Sequence, residues 1–141
     1  DNSFDVVTSL MSFRYLDWDP LLAEIKRVMR PGGKFLIIDM VTVPVAVGEY
    51  PRLIGDKLRT MKNQKANARF DAALQQLVSH PDWKKMLEYN PIRSEHEMKW
   101  YLESRFPGQK MEILNMAWHS RIVAFDSGPV ENAIDAKLTY P

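Results

Sequence analysis

The hydrophobic pattern changes period twice within the first 41 residues. Phe4 to Leu10 and Phe35 to Val41 are largely continuous apolar runs, whereas Leu21, Leu22, Ile25, Val28 and Met29 recur at helical spacing between them. Asp19-Pro20 predicts the helix start, Asp19 accepting an orphan N–H and Pro20 already holding the φ of a first helical position. Glu24, Lys26, Arg27 and Arg30 make the outer face, with the cations toward the C-terminus where the macrodipole favours them. Pro31-Gly32-Gly33 then breaks the helix and allows a left-handed cap. Continuous apolar runs suit parallel strands buried on both faces and joined by a crossover helix. Strand, helix, strand at this spacing is a βαβ unit, and in open α/β sheets ligands sit beyond the carboxyl ends of the strands. Those ends are Ser9 to Tyr15 and Asp39 to Thr42.

The rest of the chain reads as a long helical connection followed by two more strands. Thr42 to Arg93 opens with turn residues at Pro44, Gly48 and Pro51. Leu53, Ile54, Leu58 and Met61 then mark one helix face, and Phe70, Ala73, Leu74, Leu77 and Val78 another. His80-Pro81-Asp82 interrupts the run, and Trp83, Met86 and Leu87 form a short further face. Ser94-Glu95-His96-Glu97 is a capping-box sequence ahead of a helix with Met98, Tyr101, Leu102 and Phe106 inward, ended by Pro107-Gly108. Residues 110–116 and 121–126 read as strands, either a hairpin or one long bent strand, since Trp118-His119-Ser120 lacks Asn-Gly turn chemistry. From Gly128 the chain reads as a tail, with Val130, Ile134 and Leu138 as one weak stripe.

Ser12-Phe13-Arg14-Tyr15-Leu16-Asp17, followed by Leu22-Ala23-Glu24-Ile25-Lys26-Arg27-Val28-Met29-Arg30-Pro31-Gly32-Gly33, resembles the second half of a Rossmann-like, class I S-adenosylmethionine-dependent methyltransferase of the small-molecule type. The resemblance implies an α/β fold comprising strands 4-5-7-6 of a seven-stranded sheet ordered 3-2-1-4-5-7-6. Residues 1–127 would belong to the methyltransferase domain, with a helical insertion or lid at 42–93, and 128–141 would be the tail. It also implies S-adenosyl-L-methionine as cofactor, with Ser9, Leu10 and Met11 beside its methionine part. Phe13, Arg14, Tyr15, Asp39 and Met40 would border a small-molecule acceptor, with Arg14 suited to a carboxylate and Tyr15 to a hydrogen-bonding or acid/base role. No single catalytic residue is assigned. The strand end lacks the Asn/Asp-Pro-Pro-Tyr/Phe motif, which argues against amino-group methylation of nucleic-acid bases.

The family holds its cofactor mainly on a glycine-rich turn after the first strand. The six glycines here, at 32, 33, 48, 55, 108 and 128, form no such turn. The expectation is therefore a C-terminal portion, inactive alone, whose first strand is an exposed edge that the missing N-terminal half or a second copy would cover. The alternative is a non-catalytic α/β interaction module that self-associates through that edge. A dinucleotide oxidoreductase is a weaker third reading, its fingerprint being equally absent.

Composition bounds these readings. The 141 residues with 45% hydrophobic content suit a domain with a real core. Net charge of +1 gives no case for nucleic acid, and the absence of cysteine removes disulfides and thiolate metal sites. His80, His96 and His119 lack ligand spacing, so no metal is expected. No run reaches membrane-spanning length and no signal peptide is visible, so no membrane partner and a cytoplasmic setting are expected. Arg52, Lys57, Arg59, Lys62, Lys65 and Arg69 read first as a solvated face and second as an anion site. Trp83, Trp100 and Trp118 read first as core and second as the lining of a substrate pocket in the insertion, while Met61, Met86, Met98, Met111 and Met116 read as core.

Overall fold

A computed structural model describes residues 1–90 and 92–130. The elements in chain order are β1 (Phe4–Leu10), α1 (Trp18–Val28), β2 (Met29–Thr42), α2 (Tyr50–Ala66), α3 (Ala68–Ser79), α4 (Pro81–Tyr89), α5 (Glu95–Arg105), β3 (Glu112–Met116) and β4 (Ser120–Asp126). The four strands form one mixed sheet in the order β1-β2-β4-β3, with β1 parallel to β2 and both β4 pairings antiparallel. This is the relative order expected from the resemblance. The last two strands are a hairpin rather than one bent strand, closed by the Ala117 N–H donating to the Ser120 carbonyl at 2.8 Å.

Helix α1 departs from its predicted bounds at both ends. Asp17, not Asp19, is the N-cap residue, because Asp19 is drawn to α5, where the Tyr101 hydroxyl and the Arg105 guanidinium donate to it. At the other end Met29 leaves the helix and pairs with Phe4 as the first residue of β2. Proline at 31 disfavours helical backbone at Arg30, which pushes the exit upstream of the Pro-Gly-Gly.

Pro31-Gly32-Gly33 thus lies within β2 as an irregularity, where the register jumps from Phe4 opposite Met29 to Val6 opposite Lys34. Gly32 has φ +79°, and a Cβ on Gly33 would sit 2.5 Å from Met29 Cγ and 2.9 Å from the Arg30 carbonyl oxygen. The segment after β4 docks here: the Gly32 N–H donates to the Val130 carbonyl and the Val130 N–H to the Gly33 carbonyl, both at 3.0 Å. Ser127 adds a bond in each direction with the Phe35 backbone. The predicted tail therefore begins as part of the packed structure, and Val130 is buried. Ile134 and Leu138 lie outside the described residues.

The core fills one face of the sheet. Odd-numbered positions of β2 from Phe35 to Val41 are buried against Leu22 and Ile25 of α1 and Met98 and Leu102 of α5. Phe13 stacks on Trp18 with ring centroids 5.2 Å apart, and Trp18 meets Tyr101 at 4.6 Å. Ser94 Oγ accepts from the Glu97 N–H at 3.1 Å, so the predicted cap forms, while the Glu97 carboxylate turns to Arg93. The expectation of strands buried on both faces fails, because on the opposite face Val6 and Ile38 are exposed and Leu36 and Ala124 only half-buried. On β1, Phe4 is 55%, Val6 50% and Leu10 64% exposed. An open groove of about 660 Å³ over Leu36, Ile38 and Ala124 marks the bare side of β2 and β4.

The insertion also differs from expectation. Of its predicted apolar positions only Leu53 is buried, and Ile54, Leu58, Met61, Phe70, Leu74 and Leu77 are all exposed. α2 rests instead on β3 through polar bonds: Arg52 donates to the Ile113 carbonyl, Arg59 to the Leu114 carbonyl, and the Met116 N–H to Asp56. Trp100 and Trp118 are exposed and Trp83 half-buried. Trp18, inside the apolar αβ unit, is the core tryptophan. Of the predicted core methionines, Met98 and Met116 are buried, Met111 packs beside the core, Met86 is half-buried and Met61 is exposed.

Candidate active site

Because β1 and β2 are parallel, their carboxyl ends emerge on the same side of the sheet, with Leu10 opposite Ile38. β1 continues one bond further, the Met11 N–H donating to the Ile38 carbonyl at 2.7 Å, and Met11 then turns with φ +53°. That left-handed residue, uncommon for a side chain larger than Asn, reverses the chain so that 13–15 form a single 3-10 turn beside the end of β2. Ser9 and Ser12 hydroxyls lie 3.0 Å apart across the reversal. Leu10 and Met11 are exposed at its tip.

The reversal delivers Arg14 to Asp39, the residue just after the β1–β2 pairing ends. Asp39 is fully buried and collects three donors: the Arg14 N–H at 2.9 Å, Arg14 Nη1 at 2.8 Å and the Met40 N–H at 2.7 Å. A buried carboxylate without such donors would cost several kcal/mol, roughly the penalty per ion. Arg14 Nη2 reaches the Tyr15 hydroxyl at 2.6 Å, its guanidinium carbon lies 4.5 Å from the Tyr15 ring centroid, and its Nε is buried with no partner among the described residues. The pair is neutral as a unit, so the strand ends carry a fixed dipole in place of a free cation. Phe13 turns the other way, into the core under Trp18.

The structure thus gathers every predicted site residue at one end of the sheet, in three settings. Ser9, Leu10 and Met11 form the open tip; Arg14, Asp39 and the half-buried Tyr15 and Met40 form the charged step beneath it; Phe13 supports the step from the core. A pocket of about 360 Å³ opens beside Arg14 and Tyr15 and is walled by Tyr89, Asn90, Ile92, Arg93, Ser94 and Glu97. Sequence reasoning missed this wall, since the residues lie more than seventy positions from Tyr15 and meet it only because a bridge pairs Thr42 with Ser94.

One further buried cation frames the site. Arg121 on β4 donates to Glu95 at 2.5 Å and Glu49 at 2.6 Å, linking the start of α5 to the entry of α2. The Arg121 side chain is 6% exposed. Both ends of the insertion are therefore tied beside the carboxyl end of β2, the entry by Glu49 and the exit by the Thr42–Ser94 bridge and the Thr42 N–H, which donates to the Arg93 carbonyl at 2.9 Å.

The family model described as "Methyltransferase domain" matches residues 1–37, a span that covers β1, the 3-10 turn, α1 and β2 as far as Ile37. Over residues 1–37 the chain is similar to methyltransferase domains. The α/β sheet with its parallel β1–β2 pair agrees with a Rossmann-like methyltransferase. The chain is also similar to the sterol 4-C-methyltransferase strm-1 of Caenorhabditis elegans, with 40% identity over 42 residues. That likeness takes in 29% of this chain, and the chain spans 13% of that relative's length. The matched segment contains the open tip and Arg14, whereas Asp39 and the insertion wall lie beyond residue 37.

Proposed function

We propose that this chain is the acceptor-side portion of an S-adenosylmethionine-dependent methyltransferase that acts on a small molecule, a sterol-like lipid being the acceptor class closest to the relative named above. The observation that carries the reading is the coincidence of the matched residues 1–37 with the β1–turn–α1–β2 unit whose carboxyl end holds the Arg14–Asp39 step. In this reading β1, β2, β3 and β4 correspond to strands four, five, six and seven of the whole sheet.

The residues present fit one side of the cofactor. The open tip offers exposed Leu10 and Met11 and the Ser9–Ser12 hydroxyl pair to a methionine moiety. No glycine of the described residues opens a helix after a strand to approach the nucleoside, so that part of the grip must come from elsewhere, and the chain alone is inactive. When bound, S-adenosylmethionine supplies a methyl group already activated on a sulfonium, so the protein's part is alignment and exclusion of water. Asp39 cancels the Arg14 charge that would otherwise oppose a cationic sulfur at this end of the sheet. Both Arg14 η nitrogens are engaged within the chain, so Arg14 acts by fixing Asp39 and Tyr15, and Tyr15 presents its ring and hydroxyl to the pocket. The acceptor lies in that pocket, against Tyr15, Tyr89 and Arg93.

The β1 edge and the sheet face that stay open among the described residues support further contacts there, from an N-terminal half of the same protein or a second copy in a homodimer. The same exposure favours the alternative of a self-associating α/β module. Methyl transfer from labelled S-adenosylmethionine to a sterol panel by the longest product of the gene distinguishes them: label in the sterol, lost on Tyr15→Ala with the fold intact, supports the enzyme. A folded full-length product that neither binds nor consumes the donor overturns it.

A further inference from the structure

Helix α2 carries two separate faces. Leu53, Asp56 and Thr60 turn toward β3, as the bonds from the Met116 N–H to Asp56 and from Asn115 to Thr60 establish. Advancing about 100° per residue, Tyr50, Ile54, Leu58 and Met61 fall within about 80° of arc on a second stripe, roughly a third of a turn from the first. All four are exposed, Ile54 by 59% and Leu58 by 62%. Lys57 flanks the stripe on one side and Lys62 on the other, and Lys65 follows at the end of the helix. None of the three lysines makes a hydrogen bond or ion pair among the described residues, in contrast to Arg52 and Arg59, which are occupied by β3 carbonyls and Asp56. Asp56, the single acid of α2, is turned inward, so the outer stripe is purely apolar and cationic.

We infer that α2 docks the protein on an anionic membrane surface, its apolar stripe entering the headgroup boundary and Lys57, Lys62 and Lys65 pairing with lipid phosphates and carboxylates. An apolar stripe bordered by lysines matches that surface on both counts, because lysine stems lie along apolar groups while their ammonium heads reach the headgroups. A second copy of the same helix would bring like charges together at the rim of the contact. The sequence reading expected no membrane partner because no run spans a bilayer, but a helix lying in the interface needs no such length. The inference is independent of the proposed acceptor.

The test is sedimentation of the 141-residue chain with vesicles of phosphatidylcholine alone or with one-third phosphatidylserine, at low and high salt. Binding to the anionic vesicles that weakens with salt is expected. Each lysine contributes about fivefold in partitioning, so Lys57→Gln, Lys62→Gln and Lys65→Gln combined lose about a hundredfold. Ile54→Ser with Leu58→Ser, at positions exposed enough to leave the fold intact, lowers binding to anionic vesicles while preserving the thermal transition. No binding to anionic vesicles, equal binding to neutral ones, or binding unchanged by either variant overturns the inference. So does a concentration-dependent dimer, abolished by the Ile54 and Leu58 changes, in a chain that ignores vesicles.

Discussion

Arg14 reaches across the gap between the ends of two parallel strands and holds Asp39 by both its backbone N–H and its guanidinium, at 2.9 Å and 2.8 Å, with both side chains shut off from solvent. The loop that carries one predicted site residue is thereby locked to the strand that carries another. Asp39→Ala strands the Arg14 cation and is expected to destabilise by about 3–5 kcal/mol. Arg14→Met combined with Asp39→Leu should cost less than either Asp39→Ala or Arg14→Met alone. Urea unfolding of the variants checks both orders.

The two glycines of the Pro31-Gly32-Gly33 irregularity answer to different constraints. At Gly32 nothing lies within reach of a Cβ, so Gly32→Ala meets only the strain of φ +79° and costs about 1 kcal/mol. Gly33→Ala drives a methyl into Met29 and two backbone carbonyls, which overpacking data put at about 1–3 kcal/mol. Denaturation midpoints should rank wild type, Gly32→Ala and Gly33→Ala in falling stability, and hydrogen exchange at Val130 should quicken in Gly33→Ala, since the Gly33 carbonyl accepts from its N–H.

Asp19 and Tyr101 shift each other's titration in opposite senses. The Tyr101 hydroxyl bond, aided by a bond and charge from Arg105 and opposed by burial, holds the Asp19 carboxyl below its usual range. A lowered folded value means that the stability it lends is present above the unfolded value near 3.8 and fades as pH falls through the folded one. Burial, then the Asp19 bond, pushes the Tyr101 phenol well above its usual range, so that contribution is intact below pH about 10 and declines as pH rises past it. In Tyr101→Phe the Asp19 carboxyl, followed by NMR, should titrate at higher pH than in the wild type. An unmoved midpoint contradicts the assigned cause.

Arg121 ties Glu49 to Glu95, so its removal should loosen the entry to the insertion more than the sheet. Arg121→Met leaves two half-buried carboxylates without their cation. Amide exchange should rise first around residues 46–50, with the β2–β4 amides retaining protection. Uniform loss of protection across β4 would mean that the cation supports the sheet itself.

The sequence revealed most where local chemistry and tertiary packing agree. Phe4 and Leu10 bound β1 as predicted, Ser94 caps α5, and Met98, Tyr101 and Leu102 point inward, because a helix or strand that packs on the core must show its periodicity. In the insertion the same periodicity misled: Leu58 and Phe70 share helical faces with their neighbours, yet α2 is held to β3 by Arg52, Arg59 and Asp56, and the apolar stripes stay outside. At the site, Arg14 and Asp39 were legible as strand-end residues, but their pairing depends on the left-handed turn at Met11, for which the local sequence carries no glycine signal. Tyr89 and Arg93 join the pocket through a long-range bridge at Thr42, which no local pattern encodes.

The proposed function makes this chain the acceptor side of a methyltransferase, with the main grip on the methyl donor supplied by residues other than those described. Calorimetric titration with S-adenosylhomocysteine, run in parallel on these 141 residues and on the longest product of the gene, tests it most directly. Saturable one-to-one binding by the long product, with little or no heat from the 141-residue chain, is the expected result. Equal affinity in both, or none in a folded long product, would contradict it.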